Sequence, residues 1–371
     1  MARESSNVKM IFARNDNRFI HLENELKSLV NDFAMVDYDP IYLFNKYLAA
    51  LFTYNKNKKL WWMKYQWHPL IQKSRQKRIW RNISLLKNQF NTLLMVGSWF
   101  NPFCGVQSKT KFYTYIDQSC NKVADKNDMD HASLQKPRIQ FNLKQYSTYK
   151  RCSKIFCMSD WAKGQILESH PIETNKIFKV GWGPIGLNLL NDNVDVNTKS
   201  QNVLFIGHEF YRKGVDLLRQ SLPKVIREIP NVKYKIVGAN TDNLKLEPHK
   251  NFELIGHIKD PIKIRNLYLS SSIFVLPHRF DRSPHVLIEA MSAGLPIITS
   301  NQGAAPEVVK EGINGFIIDV EDVNQLSEYI IKLLKYPKLC QEFGIISRQI
   351  VMEEYTWKAI AKKIIKHIEN D

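Results

Sequence analysis

The stretch D-R-S-P-H-V-L-I-E-A-M-S-A, residues 281–293, decides the fold. An apolar run, I-F-V-L at 273–276, precedes it and ends at Pro277. Gly294, Pro296 and a second apolar run at 297–299 follow it. Short continuous apolar runs bounded by turn signals fit strands buried on both faces of a parallel sheet. Between them lies a polar turn, 278–283, and then Pro284 opens a segment in which Val286, Leu287, Ala290 and Met291 recur at helical spacing. Proline at the first helical position and glycine after the last predict a helix over 284–291. Strand, turn and helix in this order put free backbone N–H groups and a positive dipole end at the tip of a parallel sheet. An anionic phosphate binds at such a place. Two carboxylates bracket the turn, Asp281 and Glu289.

The same alternation runs outward through the second half. Apolar runs at 203–206, 232–237, 252–255 and 315–318 read as strands, and 213–229, 262–269 and 303–310 as helices. Segments 322–334, 337–352 and 357–368 read as peripheral helices, the last crossing back toward the first half. Strands alternating with helices predict a parallel sheet covered on both faces. Upstream, residues 8–13, 92–96, 112–116, 155–158 and 176–180 read as strands, and Ser159 caps a helix over 160–168. Segments 19–30 and 42–52 have helical patterns. The turn at 14–18 lacks glycine, so no phosphate site is expected there. The Asn- and Asp-rich stretch 191–201 is the expected linker, dividing domain 1–190 from domain 202–352, with a C-terminal helix in 353–371. A chain of 371 residues is long for one core, which agrees with two domains.

Composition narrows the class. No apolar run reaches membrane-spanning length, and the N-terminus has no apolar signal core. Five cysteines, Cys104, Cys120, Cys152, Cys157 and Cys340, contain no CxxC pair and read as reduced thiols of a cytoplasmic protein. Neither a zinc site nor a disulfide framework is expected. The net charge is +17, and residues 41–116 hold thirteen Lys and Arg without one Asp or Glu. Such a field favours anionic partners. Within it, 56–87 interleaves Trp61, Trp62, Tyr65, Trp67 and Trp80 with cations, and Lys73, Lys77 and Arg81 form a stripe at four-residue spacing. This is either an interfacial segment on an anionic membrane or a solvated face over a core helix carrying Ile79, Ile83, Leu86 and Phe90. Aromatics among basic residues also suit single-stranded nucleic acid, but no nucleic-acid motif is present and none is expected to bind.

Four blocks in order resemble the GT-B glycosyltransferases of the E-x7-E type, group 1 or family 4-like. They are V-L-F-I-G at 203–207 with R-K-G-V-D-L-L at 212–218, K-I-V-G at 235–238, the signature at 281–296, and G-A-A-P-E-V-V at 303–309 with G-I-N-G-F at 312–316. Ser159-Asp160-Trp161, Asn175-Lys176-Ile177 and Trp357 match further family positions. The resemblance implies an α/β fold of two Rossmann-like, doubly wound domains facing a central cleft. The first domain would bind acceptor and the second a nucleotide-sugar donor.

Roles follow from the resemblance residue by residue. Glu289 holds the ribose hydroxyls, Arg212 and Lys213 neutralise the donor diphosphate, and the helix start, with Ser283, Pro284, His285 and Val286, adds backbone groups. Gly207 and Gly238 line the strand tips, the base lies near His257 and Ile258, and His278 stands beside the signature. Asp281 takes the place of the signature's first Glu, one methylene shorter. Ser283-Pro284 replaces the usual glycine and removes one N–H donor. His208 or Glu209 stands where the family has Arg. The first domain's catalytic His is not evident, and Asp117 occupies the matching strand end, with His68 and His131 as distant alternatives. Read without the family, Arg212 and Lys213 are a helix start, Glu289 and His285 helix-surface residues, His278 a strand-tip residue, Trp182 hinge or core, and Asp117 a turn or cap residue.

The expected function is a metal-independent, retaining transfer of a sugar from a UDP or GDP donor to a glycan, glycolipid or other acceptor. The catalytic set is Asp117, Asp281, Arg212 and Lys213; no cofactor and no metal site are expected. The expected location is cytoplasmic, peripheral on a membrane face if the basic segment docks there. Alternatives are a non-catalytic GT-B partner subunit, for which the departures speak, and a nucleotide-sugar epimerase.

Overall fold

A computed structural model describes residues 7–15, 17–38, 43–86, 89–98, 100–103, 108–119, 135–187, 189–190, 200–238 and 248–371. Residues 191–199 of the expected linker, and His131, Cys104 and Cys120, lie outside the described residues. The chain divides into two units, Met1–Gly181 with Ile360–Asp371, and Trp182–Ala359.

In the first unit the order is β1 (Lys9–Arg14), α1 (Ile20–Leu29), β2 (Asp32–Asp37), α2 (Leu43–Thr53), α3 (Lys58–Trp67), α4 (Pro69–Leu86), β3 (Thr92–Val96), β4 (Lys111–Ile116), α5 (Gln135–Arg151), β5 (Lys154–Cys157), α6 (Asp160–Ser169) and β6 (Ile177–Lys179). The strands order as β2-β1-β3-β4-β5-β6, all pairs parallel. β3 is buried along its whole length and β4 along all but Lys111, as a sheet covered on both faces requires. Leu93, Met95, Phe112, Ile155 and Cys157 meet Ile79, Ile83, Tyr149 and Ile166 in one core cluster. Ser159 caps α6 by accepting from Ala162 N at 3.0 Å.

The second unit comprises β7 (Asn202–Ile206), α7 (Phe210–Lys213), α8 (Val215–Glu228), β8 (Lys233–Val237), β9 (Phe252–Gly256), α9 (Pro261–Leu269), β10 (Ile273–Leu276), α10 (His285–Ser292), β11 (Ile297–Ser300), α11 (Ala305–Val308), β12 (Gly315–Ile318), α12 (Val323–Lys335) and α13 (Pro337–Glu354). Its strands order as β12-β11-β10-β7-β8-β9, again all parallel. Chain direction across the sheet reverses between β7 and β10. Open α/β sheets bind ligands outside the carboxyl ends of the strands at such a switch point. α14 (Trp357–Glu369) closes the chain, and from Ile360 onward its residues pack with the first unit. There Tyr113 donates to Asp371 at 2.9 Å.

Several expectations shift. The helix expected over 213–229 is two pieces, because Gly214 takes a left-handed φ of 82° and breaks it. The helix expected over 303–310 contracts to α11, since Gly303 at φ 60° still belongs to the turn. Pro284 precedes α10 as its cap rather than opening it. Two elements carried no sequence signal. β2 is an edge strand with one buried residue, so its pattern is too polar to register. α5 is polar along most of its length, with buried Phe141, Gln145, Thr148 and Tyr149 too mixed for an apolar stripe. The basic 56–87 segment is two helices broken at His68-Pro69, and Phe90 lies beyond the second. Among the described residues no helix is long and apolar enough to cross a membrane.

Candidate functional site

The strand tips on the carboxyl side of the second sheet are laced by glycines. Gly207 N donates to Val237 O and Gly238 N to Gly256 O, each at 2.9 Å. A Cβ on Gly238 would stand 1.8 Å from Gly207 O, so only glycine fits. Beyond this rim, exposed His208 and His257 lie 5.7 Å apart, ring to ring, next to Ile258.

The β7–α7 turn meets the signature turn across the switch point. Arg212 donates Nη1 to Phe280 O at 2.7 Å, and Arg279 N donates to Arg212 O at 2.8 Å. Arg212 also pairs through Nε with Glu209 at 2.8 Å, Glu209 itself holding a left-handed φ of 54°. Lys213 Nζ forms an ion pair with Asp281 Oδ2, both side chains largely buried. Burial alone raises the Asp281 pKa, but Lys213, His278 and Arg212 together outweigh it and bring it down to about 2. Asp281 therefore stays ionised. The structure brings together Arg212, Lys213, His278, Asp281, Ser283 and Pro284 at one sheet tip.

The turn is built to hold this geometry. Gly214 packs so closely under β10 that a Cβ would stand 2.1 Å from Pro277 O. Ala304 N donates to Arg282 O at 3.0 Å, backing the turn from behind. Arg279 spans the two turns: Nη1 and Nη2 bind the Asp216 carboxylate at 2.9 and 2.8 Å, Nε binds Glu321, and the guanidinium lies 3.9 Å from the Tyr211 ring centre. It is the residue that sequence reasoning missed. Its only signal was one cation in a polar turn, with no spacing to link it to Asp216.

His278 and Ser283 are buried, and His278 Nδ1, His278 Nε2 and Ser283 Oγ make no hydrogen bond. Buried polar atoms without partners are rare and concentrate where a ligand, water or ion completes them. Burial, the largest influence, takes the His278 pKa down to about 4, so its imidazole is neutral near pH 7.

Glu289 and His285 point elsewhere. Glu289 Oε1 accepts from Gly186 N at 2.7 Å and Oε2 from Tyr268 OH at 3.0 Å. Burial raises its pKa, while the donors of 185–187 and Tyr268 oppose the rise. Tyr268, fully buried on α9, is a second residue that carried no sequence signal. His285 Nδ1 meets Gly183 O at 2.7 Å and its ring lies against Trp357, so it is a packed group rather than a helix-surface residue. Trp182 is core, stacked edge-on to Tyr355. Asp117 directly follows β4 in the first unit and is only half-buried. His68 starts α4 by accepting from Leu70 N and stacks on Phe52, which is a structural role.

A family of known proteins matches this chain over this same sheet. Residues 190–350 match the family model described as Glycosyl transferases group 1. This stretch belongs to that family. Spore coat protein SA of Bacillus subtilis is 35% identical over 183 residues, 46% of this chain and 48% of that protein. The capsular polysaccharide biosynthesis glycosyltransferase CapM of Staphylococcus aureus is 28% identical over 229 residues, 57% of this chain and 60% of that protein. The chain thus spans about half to two-thirds of the length of the curated relatives it matches. Among solved structures, sucrose-phosphate synthase from Thermosynechococcus elongatus superposes over 98% of this chain and 99% of its own at TM-score 0.71 and 16% identity. HepE of Anabaena, in complex with UDP and glucose, superposes over 98% of this chain and 100% of its own at TM-score 0.67 and 13% identity. These likenesses extend over both sheets, and the architecture is GT-B, two doubly wound Rossmann-like units.

Proposed function

We propose that this group 1 glycosyltransferase moves a sugar from a nucleoside-diphosphate donor, UDP or GDP, to a glycan or glycolipid acceptor, with retention and without a metal ion. The observation that carries the reading is the meeting of Arg212 and Lys213 with Phe280 and Asp281, in the turn that leads into α10, at the β7/β10 switch point. Two fixed cations and a helix N-terminus suit a diphosphate, and they resist the charge that develops there as the glycosidic bond breaks. His278 and Ser283 supply buried polar atoms in want of partners, apt for a sugar hydroxyl or a phosphate oxygen. A UDP-bound structural neighbour and glycosyltransferase relatives support the donor class. In this reading Glu289 takes the ribose hydroxyls by sharing or exchanging the donors it now holds. Asp117 serves the acceptor, which the first unit binds. The departing phosphate accepts the incoming hydroxyl's proton.

The test is thermal unfolding against UDP-, GDP-, ADP- and dTDP-sugars, since a ligand that binds only the native state raises the midpoint. At least one donor raises it, and Lys213→Ala removes most of the rise. Sugar transfer to an acceptor, with the anomeric configuration of the product read by NMR, then tests turnover and retention. A shift without transfer assigns a non-catalytic subunit, and sugar conversion without acceptor assigns an epimerase. No shift with any donor defeats the donor-site reading.

A further inference from the structure

The first unit exposes large apolar side chains where its acid-free stretch begins. α2 turns small Ala49 and Thr53 inward, Thr53 Oγ1 donating to Ala49 O at 2.6 Å. It turns Tyr47, Leu51 and Phe52 outward. Tyr54 just after it and Trp62 on α3 are also outward, and these five residues are 56–72% exposed. The inversion is local. Elsewhere α3 buries Leu60, Met63 and Trp67, and α4 buries Ile71, Ile79 and Ile83. The display is held in shape: Trp61 Nε1 donates to Ala50 O at 3.0 Å, tying α3 to α2, and Tyr54 packs edge-on to Trp61. Contiguous exposed apolar surface on a stable protein marks an interaction site.

Charge says which partner. Lys46, Lys56 and Lys58 are exposed among these side chains. The stretch 41–116 contains thirteen cations and no acid. A second copy of this face would bring like charge against like charge. A soluble polyanion would use the cations and leave Leu51 and Phe52 in water. A bilayer with anionic headgroups uses both, cations at the phosphates and apolar or aromatic bodies at the acyl boundary. We propose that α2 and the start of α3, through Tyr47, Leu51, Phe52, Tyr54 and Trp62 ringed by Lys46, Lys56 and Lys58, dock this protein on an anionic lipid surface. The sequence alone pointed to 56–87; the structure moves the apolar contact upstream to 47–62. The proposal does not depend on the donor site.

The experiment is flotation of the full chain with vesicles of phosphatidylcholine alone or with about one-third phosphatidylglycerol, at low and high salt. The protein floats with the anionic vesicles and not the neutral ones, and salt weakens the binding. Leu51→Gln with Phe52→Gln lowers partition at least tenfold while any nucleotide-sugar shift stays unchanged, and the thermal midpoint falls by no more than the loss of the surface Phe52–His68 stack. Lys46→Gln, Lys56→Gln and Lys58→Gln together lower it comparably. The proposal falls if the anionic vesicles do not bind. It falls equally if the Leu51/Phe52 variant binds like the parent, if soluble polyglutamate competes the vesicles away at equal charge, or if sedimentation shows this face joining two copies.

Discussion

Gly186 N donates to Glu289 Oε1 at 2.7 Å, and this bond is the middle of a series. His285 Nδ1 meets Gly183 O at 2.7 Å, and Ser292 Oγ accepts from Leu189 N at 3.2 Å. Residues 285, 289 and 292 are spaced four and three apart, so they share one face of α10. That face grips the backbone of 183–189, while the start of the same helix meets the signature turn. The proposed ribose ligand is thus also a structural rung.

This double use separates two substitutions. Glu289→Ala leaves the buried Tyr268 OH without its acceptor, while the exposed Gly186 N–H turns to water, and is expected to destabilise by about 1–3 kcal/mol, the cost of one orphaned buried group. Glu289→Gln keeps an acceptor for Gly186. Because the folded-state pKa of Glu289 is raised, its contribution to stability is present below the unfolded value and is lost as pH rises through the folded value. The Gln variant is therefore expected to match the parent near pH 4 and equal or exceed it at pH 8. Urea midpoints at the two pH values check this, and nucleotide-sugar affinity is expected to fall at least tenfold in both variants.

Arg279 and Asp216 are expected to act as one unit. Arg279→Ala leaves Asp216 half-buried without its bidentate partner and takes the side-chain donor from Tyr211 O, one residue before Arg212, while the main-chain bond to Arg212 O stays. The expected loss is about 2 kcal/mol, scaled down from a fully buried pair because Arg279 keeps some solvent contact. Arg279→Ala and Asp216→Ala combined should cost much less than their sum, with a coupling of about 1–2 kcal/mol in a double-mutant cycle. Additive losses would show that the pair does not act jointly. A larger effect on donor KM than on kcat is expected, since the clamp positions Arg212 and Lys213 without touching the reacting atoms.

How far the sequence carried the site follows from these residues. Lys213, Asp281 and Glu289 were legible because strand, turn and helix signals fix their places along the chain, and a doubly wound sheet gathers strand tips at its switch point. The pairing of Lys213 with Asp281 was not, since 68 residues separate them and nothing local encodes which cation meets which carboxylate. Arg279 was hidden for the same reason. Glu289's grip on Gly186 was hidden because backbone N–H groups leave no trace in sequence. In the first unit β2 and α5 escaped because an edge strand and a largely solvated helix need little apolar patterning.

Gly214 gives a sharp test of the break between α7 and α8. Its φ of 82° disfavours any side chain, and a Cβ would stand 2.1 Å from the carbonyl oxygen of Pro277. Left-handed backbone alone costs an alanine about 1–2 kcal/mol, and the clash with backbone cannot relax by rotamer change. Gly214→Ala is expected to lose more than about 3 kcal/mol in chemical denaturation, adding overpacking to the backbone strain. Gly312 is the control, also at positive φ but with open space where a methyl would stand, nothing lying within 4 Å. Gly312→Ala should lose only about 1–2 kcal/mol, the backbone part alone.

His278 is expected to set the upper part of the acid limb of stability. Its pKa falls from 6.5 in the unfolded chain to about 4 in the folded protein, chiefly through burial, with Lys213 and Arg212 adding to the fall and Asp281 opposing it. The unfolded state then binds more protons between these values, so stability is complete above about pH 6.5 and declines as pH drops toward 4. Each pKa unit is worth about 1.4 kcal/mol, which gives a decline of about 3 kcal/mol from this one group. Asp281, with its pKa near 2, contributes only below the unfolded value of 3.8, so the two windows do not overlap. His278→Ser is expected to flatten the stability profile between pH 4 and 6.5 and leave the steeper loss below pH 3.8 in place. A profile in that upper window unchanged by the substitution would mean that His278 is protonated in the folded protein, and its unpaired nitrogens would then not be the neutral donor–acceptor pair proposed for the sugar.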